Sequence, residues 1–292
     1  MSTKALYLKP RTLDEAITLL ALTPARILSG GTDFYPSLGD RVVRDNVIDI
    51  SALATLRGIT HEPDHIRIGG LTTWTDIIRA PLPRCFDALK SAAREVGSVQ
   101  IQNRGTVAGN LCNASPAADG VPPLLALDAQ VELISKEGVR RIPLADFVVG
   151  NRRTQRNANE LLAAILVPRN LDDADSFFMK LGARRYLVIS ISMVAVVLRI
   201  NGKMAESTIA EARVAVGSCS AVAQRLHKLE NDLVGCHANE IQNAVQLNHL
   251  APLSPIADVR ATAEYRMEAS LCLVQRSLQL CVEAARRARG KV

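Results

Sequence analysis

Aromatic side chains are scarce in this chain, which holds only 3% Phe, Trp and Tyr among its 292 residues. Their scarcity argues against recognition of single-stranded nucleic acids or sugars, because such sites rely on stacked aromatic rings. The net charge is +6, and the basic residues are mostly scattered along the sequence. Because cations stabilise the C-terminal end of a helix, we expect the one dense basic cluster to be a solvated helix end, with no nucleic-acid partner. This cluster consists of Arg286, Arg287, Arg289 and Lys291.

Clustered metal ligands and long apolar runs are also missing. The six cysteines contain no C-x-x-C pair, and the five histidines form no motif. We therefore expect no disulfide, no metal site and no catalytic residue on this chain. Scattered reduced thiols are typical of a cytoplasmic protein. The longest apolar run, residues 187–198, is too short to cross a bilayer, so we expect no membrane span.

The common nucleotide-binding fingerprints do not occur either. The chain has no G-x-x-x-x-G-K-[ST] sequence, which argues against a P-loop nucleoside triphosphatase. No G-x-G-x-x-G sequence follows the first strand, so the fingerprint of nicotinamide dinucleotide binding is absent. What the chain has instead is two uncharged segments that carry glycines.

The first of these segments reads Ile-Leu-Ser-Gly-Gly-Thr-Asp at residues 27–33. An apolar strand runs directly into Gly30 and Gly31, and paired glycines let a ligand approach the backbone without meeting a Cβ atom. The second segment lies within residues 98–128 and has no Lys, Arg, Asp or Glu between Gly105 and Ala118. Its Gly, Asn and Ser residues suit a backbone cradle for an anion, with N–H groups as donors. Together the two segments predict a phosphate-binding site.

The predicted elements indicate an α+β protein. Residues 1–175 mix helices and strands without the regular alternation of a doubly wound sheet. The polar stretch 168–175 marks a domain junction. Residues 176–292 read as three strands followed by three helices, at about 220–234, 239–246 and 262–289. We therefore predict a second domain in which a three-stranded antiparallel sheet is backed by a three-helix bundle.

Three motifs carry a resemblance to a known family. The sequences SGGTD, NRGTVAGNLCNASPAAD and KLGARRY resemble the FAD-binding subunits of the molybdenum hydroxylases, enzymes of the xanthine dehydrogenase and carbon monoxide dehydrogenase type. The resemblance covers nearly the whole chain. It implies a two-lobed FAD-binding domain of the vanillyl-alcohol-oxidase (PCMH) type at residues 1–175. A C-terminal domain of the CO dehydrogenase flavoprotein type would follow at residues 176–292.

The resemblance also implies which residues bind FAD. The first glycine segment would wrap the pyrophosphate, the second would form the opposing wall, Asp119 would bind a ribose hydroxyl, and Lys180 would reach the cofactor from the second domain. A cation near the flavin would stabilise its anionic reduced ring. The implied cofactor-binding residues are Ile27, Leu28, Ser29, Gly30, Gly31, Thr32, Asp33, Val96, Thr106, Gly109, Asn110, Asn113, Asp119, Leu162 and Lys180.

Structural interpretations of the same residues stay open beside these roles. Asp119 is also suited to cap a helix that begins at Val121. Lys180 is equally typical of a surface strand, and Val96 and Leu162 would be core residues in any fold. Many relatives have Gly where this chain has Ala108, so we expect Ala108 to adopt a negative φ angle.

The resemblance implies an oxidoreductase subunit that performs no substrate chemistry of its own. A large partner subunit with a molybdenum cofactor would hydroxylate the substrate, and a small 2Fe-2S subunit would carry the electrons to FAD. The acceptor would then be NAD⁺, oxygen, a quinone or another oxidant. Two alternatives stay open: a self-contained flavin oxidase of the same broad fold, and a non-enzymatic nucleotide-binding accessory protein that helps to assemble the complex.

Overall fold

The computed structural model describes residues 5–202 and 206–289, in which strands and helices are joined by turns and loops. The strands are β1 (Tyr7–Leu8), β2 (Ala25–Leu28), β3 (Asn46–Asp49), β4 (Ile59–His61), β5 (His65–Gly69), β6 (Gln130–Ser135), β7 (Gly138–Pro143), β8 (Val148–Gly150), β9 (Arg153–Thr154), β10 (Leu161–Pro168), β11 (Asp175–Leu181), β12 (Ser192–Asn201), β13 (Thr208–Gly217) and β14 (Gln224–Arg225). The α-helices are α1 (Leu13–Leu22), α2 (Phe34–Leu38), α3 (Trp74–Arg79), α4 (Asp87–Glu95), α5 (Val99–Gln102), α6 (Val107–Asn113), α7 (Val121–Ala126), α8 (Leu144–Phe147), α9 (His227–Leu233) and α10 (Ala263–Arg289).

The N-terminal part has two lobes, each built on its own sheet. The first lobe is a parallel three-stranded sheet in the order β1-β3-β2, and the second is an antiparallel five-stranded sheet in the order β4-β5-β10-β6-β7. The central strand β10 is buried from Leu161 to Val167, which explains its unbroken apolar sequence. Strands β2 and β10 each bring one end to the groove between the lobes, as the cavity lining described below shows.

The C-terminal part confirms the α+β class but corrects the predicted element count. The three predicted strands are present, and Gln224–Arg225 adds a short fourth strand beside β13. This strand lies inside the predicted helix 220–234, so that α9 begins only at His227. The predicted helix 239–246 is a 3-10 helix at Ile241–Ala244. Helical segments thus occur at all three predicted places, but the first is shorter than predicted, because pairing of Gln224–Arg225 with β13 overrides local helix propensity there.

Strand β12 is buried on both of its faces. Met193, Ala195 and Val197 point into the core shared with the N-terminal part, while alternate residues such as Val194 and Val196 point towards the core beneath α10. Because side chains alternate between faces along a strand, two-sided burial requires apolar residues at every position. This burial accounts for residues 192–198 of the apolar run 187–198, which we predicted not to span a membrane. None of the helices within the described residues is long and apolar enough to cross a bilayer.

The basic cluster at the end of α10 is more tightly bound than the sequence suggested. Arg289 donates to the carbonyl oxygen of Ile200 at 3.0 Å, and Arg286 donates to Oδ1 of Asn239 at 2.5 Å. These two residues therefore fasten the end of α10 to the C-terminal part. Lys291 lies outside the described residues.

A buried ion pair holds β14 in place and joins the two parts of the chain. Arg225 donates from Nε to Oε1 of Glu230 at 2.5 Å and from Nη1 to Oδ1 of Asp128 at 2.6 Å. Arg225 and Glu230 expose only 8% and 5% of their side chains. Glu230 also accepts from the backbone N–H of Val214 at 2.8 Å, so its carboxylate is bound on several sides.

Replacing Glu230 with Ala should lower the free energy of unfolding by about 3–5 kcal/mol, because it removes the buried carboxylate that pairs with Arg225 and leaves the partly exposed Asp128 as the remaining carboxylate partner. Urea denaturation measures this change. The control is Lys228→Ala on the same helix, whose exposed ion pair with Asp232 should contribute no more than about 1 kcal/mol. Equal losses in the two variants would contradict a structural role for the buried pair.

Candidate cofactor-binding site

The two glycine segments of the sequence meet in the groove between the lobes. The hydroxyl oxygens of Ser29 and Thr106 lie 3.3 Å apart, although the residues are 77 positions apart in sequence. A Cβ atom on Gly30 would lie 1.9 Å from the carbonyl oxygen of Arg104, so this approach is possible only for glycine. Gly31 has a φ of +77°, a left-handed conformation that glycine adopts without strain. The two glycines thus let the chain leave β2 and turn along the opposing wall.

The opposing wall is a short helix and not the irregular loop that its composition suggested. Helix α6 is capped by Thr106, whose Oγ1 accepts from the N–H of Gly109 at 3.0 Å. The N–H of Asn110 bonds to the carbonyl oxygen of Thr106, so these two predicted anion donors are already used within the helix. Ala108 lies inside α6 and is absent from the positive-φ residues, in agreement with the sequence prediction. The wall therefore presents side chains and Cα atoms more than free N–H groups.

Backbone pairing with a neighbouring segment fixes this wall. Thr73 and Thr106 form an antiparallel bridge, and Trp74 N–H donates to the carbonyl oxygen of Gly105 at 3.2 Å. Thr73 in turn caps α3 with a capping box that includes Asp76. A Cβ atom on Gly120 would lie 2.3 Å from the Trp74 ring, so a glycine is needed there as well.

Between the two walls lies a cavity of about 420 Å³, within the usual range for cofactor pockets of roughly 300–1,000 Å³. It has both polar and apolar walls, and the apolar ones include Trp74, Ile50 and Leu161. Most of the residues predicted from sequence line it. They are Ile27, Ser29, Gly30, Gly31, Thr32, Asp33, Val96, Thr106, Gly109, Asn110, Asn113 and Leu162.

Three residues predicted to bind the cofactor lie elsewhere. The side chain of Leu28 is buried in the interior, where only 4% of the residue is exposed. Asp119 and Lys180 form an ion pair with Nζ to Oδ2 at 2.6 Å, and Ser190 donates to the other carboxylate oxygen at 2.7 Å. Helix α7 has Gly120 as its N-cap without a side-chain bond, so Asp119 does not cap it.

The Asp119–Lys180 pair joins the loop between α6 and α7 to strand β11 of the C-terminal sheet. The two side chains expose only 8% and 7% of their surface. Burial raises the pKa of the Asp119 carboxyl above its usual range, and the bonds from Lys180 and Ser190 oppose that shift. Lys180 also lines a second cavity of about 350 Å³, together with Glu95, Arg184 and Arg185. Glu95 directly precedes Val96, so the end of α4 contributes adjacent residues to both cavities.

The cavity also has cationic side chains that no sequence motif indicates. Arg26, Arg152 and Arg156 line it, and they belong to no recognisable motif. Arg26 places its guanidinium 4.4 Å from the centre of the Phe34 ring. Arg152 donates from Nη1 to Asn113 Oδ1 at 2.8 Å and to Asp33 Oδ2 at 3.2 Å, and it thereby links the two walls.

Comparisons with known proteins identify the family. Residues 2–170 match the model described as the FAD binding domain in molybdopterin dehydrogenase, and residues 177–280 match the CO dehydrogenase flavoprotein C-terminal domain. The chain belongs to the FAD-binding subunits of the molybdenum hydroxylases. It is thus an FAD-binding medium subunit of an oxidoreductase of the xanthine dehydrogenase and carbon monoxide dehydrogenase type.

Individual relatives support this membership. The chain is 32% identical over 287 residues to a putative xanthine dehydrogenase FAD-binding subunit of Escherichia coli, an alignment that covers 96% of this chain and 97% of the relative. It is 40% identical over 193 residues to the nicotinate dehydrogenase FAD-subunit of Eubacterium barkeri, where the alignment covers 63% of this chain and 65% of the relative. A chain of carbon monoxide dehydrogenase from Hydrogenophaga pseudoflava superposes with a TM-score of 0.84 at 27% identity, covering 96% of this chain and 98% of that one.

The cavity of this family member suits FAD, which brings hydroxyl and N–H donors as well as an anionic diphosphate. Oδ1 of Asn110 is buried without a hydrogen-bond partner among the described residues, as expected for an acceptor that awaits a hydroxyl or N–H donor of the cofactor. Gly30 and Gly31 border the cavity without a Cβ atom, and Arg26, Arg152 and Arg156 line it with positive charge that suits the diphosphate. No group of three or more His, Cys, Asp or Glu side chains within residues 5–202 and 206–289 is arranged to hold a metal ion.

Replacing Gly30 with Ala should abolish the close approach of the two walls. We expect FAD affinity to fall at least about tenfold and the free energy of unfolding to drop by about 1–3 kcal/mol, because the new Cβ collides with backbone. Flavin fluorescence titration and urea denaturation measure the two effects. In the control Gly150→Ala the added Cβ lies no closer than 3.8 Å to its nearest neighbours, so near-normal binding is expected. Unchanged FAD affinity in the Gly30 variant would refute this construction of the site.

The buried pair can be tested by a double-mutant cycle. Lys180→Met and Asp119→Asn should each destabilise the protein, because each leaves a buried partner without its counterpart, while the double variant recovers part of the loss. The expected coupling is roughly 0.5–3 kcal/mol from urea denaturation. Lys136→Met at an exposed turn is the charge-matched control. Strictly additive losses would show that the two charges do not interact.

Proposed function

We propose that this chain carries electrons between a 2Fe-2S partner subunit and an external acceptor, with FAD as the carrier. FAD supplies the chemistry when bound, because it accepts electrons one at a time and releases them as a pair. The organic substrate would be oxidised on a separate large subunit that holds the molybdenum cofactor. The observation that carries the proposal is the joined pair of glycine segments around the 420 Å³ cavity, in a chain of the FAD-subunit family.

The division of labour on this chain follows from its site. The residues that line the cavity bind and orient a cofactor, and the protein part of such a site contributes orientation and electrostatics. All of the residues predicted for FAD, from Ile27 to Lys180, are retained in this proposal. For Leu28 the contribution would come from the backbone, because its side chain is buried. Asp119 and Lys180 would contribute from beside the cavity, as an ion pair that carries no net charge.

Further parts of the proposal rest on chemistry and on the relatives. NAD⁺ is one candidate acceptor beside oxygen and quinones. We also propose the division into domains at residues 1–175 and 176–292, and a cytoplasmic location that suits six cysteines without disulfides. The relatives are described as subunits of xanthine and nicotinate dehydrogenases, so nitrogen heterocycles are sensible first substrates for the complex.

The proposal predicts a specific pattern of flavin reduction. The purified chain loaded with FAD should be bleached by dithionite but not by xanthine or nicotinate, because it has no substrate site of its own. The same flavin should be bleached by the substrate when the chain is bound to its large and small partner subunits. Visible absorption at the flavin band measures both reactions.

The alternatives give different outcomes in the same experiment. Substrate-driven reduction of the isolated chain would indicate a self-contained flavin oxidase and contradict the proposal. A folded chain that cannot be loaded with FAD would favour the accessory protein. Failure of reduction in the complete complex, with FAD bound, would refute the electron route but leave cofactor binding intact.

A further inference from the structure

We propose that Arg152 is a cofactor-binding residue that clamps the two walls of the cavity around the diphosphate of FAD. The inference concerns cofactor binding alone and does not depend on the proposed electron route. Arg152 lies in the sequence NRRT, outside the motifs that identify the family. It contacts one residue from each wall, and its position is built by the fold and not by a local motif.

The contacts of Arg152 join the two walls directly. Its Nη1 donates to Asn113 Oδ1 at the end of α6 and to Asp33 Oδ2 at the end of the first glycine segment. Its backbone N–H donates to the carbonyl oxygen of Ala114 at 2.9 Å, which fastens the residue to the end of α6. The residue is thus held at the cavity by its backbone while its side chain spans the opening.

The backbone conformation of Arg152 is unusual for its residue type. It lies at the tip of the hairpin between β8 and β9 with a φ of +55°, where glycine or asparagine would be expected. Such conformations persist where the surrounding structure fixes them, and they cluster at ligand-binding sites. The backbone of Arg152 therefore agrees with a binding role, which its side-chain contacts carry.

The remaining donors of Arg152 are free for a ligand. A guanidinium has five N–H donors, and within the described part of the chain the Nε and Nη2 groups of Arg152 make no hydrogen bond. Free donors alone do not distinguish Arg152, because Arg156 bonds only through Nη1, to carbonyl oxygens of its own turn, and Arg26 lies over the Phe34 ring. Within the described residues, the hydrogen bonds of Arg152 are the ones that reach both walls, at Asp33 and Asn113. Arg152 is therefore the cavity arginine best placed to pair with a phosphate between the walls, in a bidentate manner.

The test replaces Arg152 with Gly in the full-length chain after removal of FAD. FAD affinity should fall about 10- to 100-fold, as expected for the loss of charged hydrogen bonds. The thermal midpoint of the FAD-free protein should stay the same or rise, because glycine relieves the left-handed backbone. A merely structural arginine would give the opposite result, with a lower midpoint. Arg152→Lys keeps the charge without the planar fork and should lose affinity to an intermediate degree.

Two comparisons make the test decisive. Arg153→Gln removes the same charge from the neighbouring exposed residue and should change FAD affinity less than twofold. ADP should lose affinity in Arg152→Gly, whereas adenosine, which lacks the diphosphate, should bind both proteins equally. The proposal is overturned if Arg152→Gly and Arg152→Lys both bind FAD within twofold of the original chain. It is also overturned if Arg153→Gln weakens binding as much, or if adenosine loses as much affinity as ADP.

Discussion

The site depends on an approach of two backbones that only glycine permits. Gly30 lies against the carbonyl oxygen of Arg104, and any Cβ atom at this point would push the walls apart. The hydroxyl contact between Ser29 and Thr106, the alignment of Gly109 beside Ser29 and the width of the cavity all follow from this one approach. A glycine loses more conformational freedom on folding than any other residue, which by itself disfavours the folded state. Its presence here therefore reflects the close approach of the two walls, which no residue with a Cβ atom would permit.

The C-terminal part is fixed to the cofactor lobe by two different means. Strand β12 shares an apolar face with the larger core, so the two parts cannot separate without exposing buried side chains such as Met193 and Val197. The Asp119–Lys180 pair adds a polar connection at the edge of the same interface. Apolar contact supplies the free energy that holds the two parts together, but it is non-directional. The buried ion pair, with a further hydrogen bond from Ser190 to Asp119, favours one relative position of the two parts.

The sequence predicted those parts of the site whose residue types have few structural explanations. Gly30 and Gly31 could be recognised because paired glycines are rare outside turns and ligand cradles, and Gly109 because it lies in a long uncharged segment. Most strands followed from their apolar patterns. The sequence could not show that Gly109 and Asn110 use their N–H groups inside α6, because the cap by Thr106 was hidden in a loop-like composition. Contacts between residues far apart in sequence could not be predicted either, because no local pattern indicates them. The strand Gln224–Arg225 is stabilised by Asp128, which lies 97 positions away in sequence.

The distribution of charge around the cavity explains why a binding role for Arg152 could not be predicted from the sequence. Both glycine walls are almost free of charged side chains, whereas Arg26, Arg152 and Arg156, which also line the cavity, are partly or fully exposed. A neutral wall can enclose an anion closely without a counter-ion that must itself be desolvated, and a rim arginine then adds attraction where water can still reach it. Such a rim residue needs no fixed distance from the glycine motifs in sequence, since a hairpin from another part of the lobe delivers it. A charge that completes a neutral cradle is therefore identified by its contacts with Asp33 and Asn113, which only the folded chain brings together.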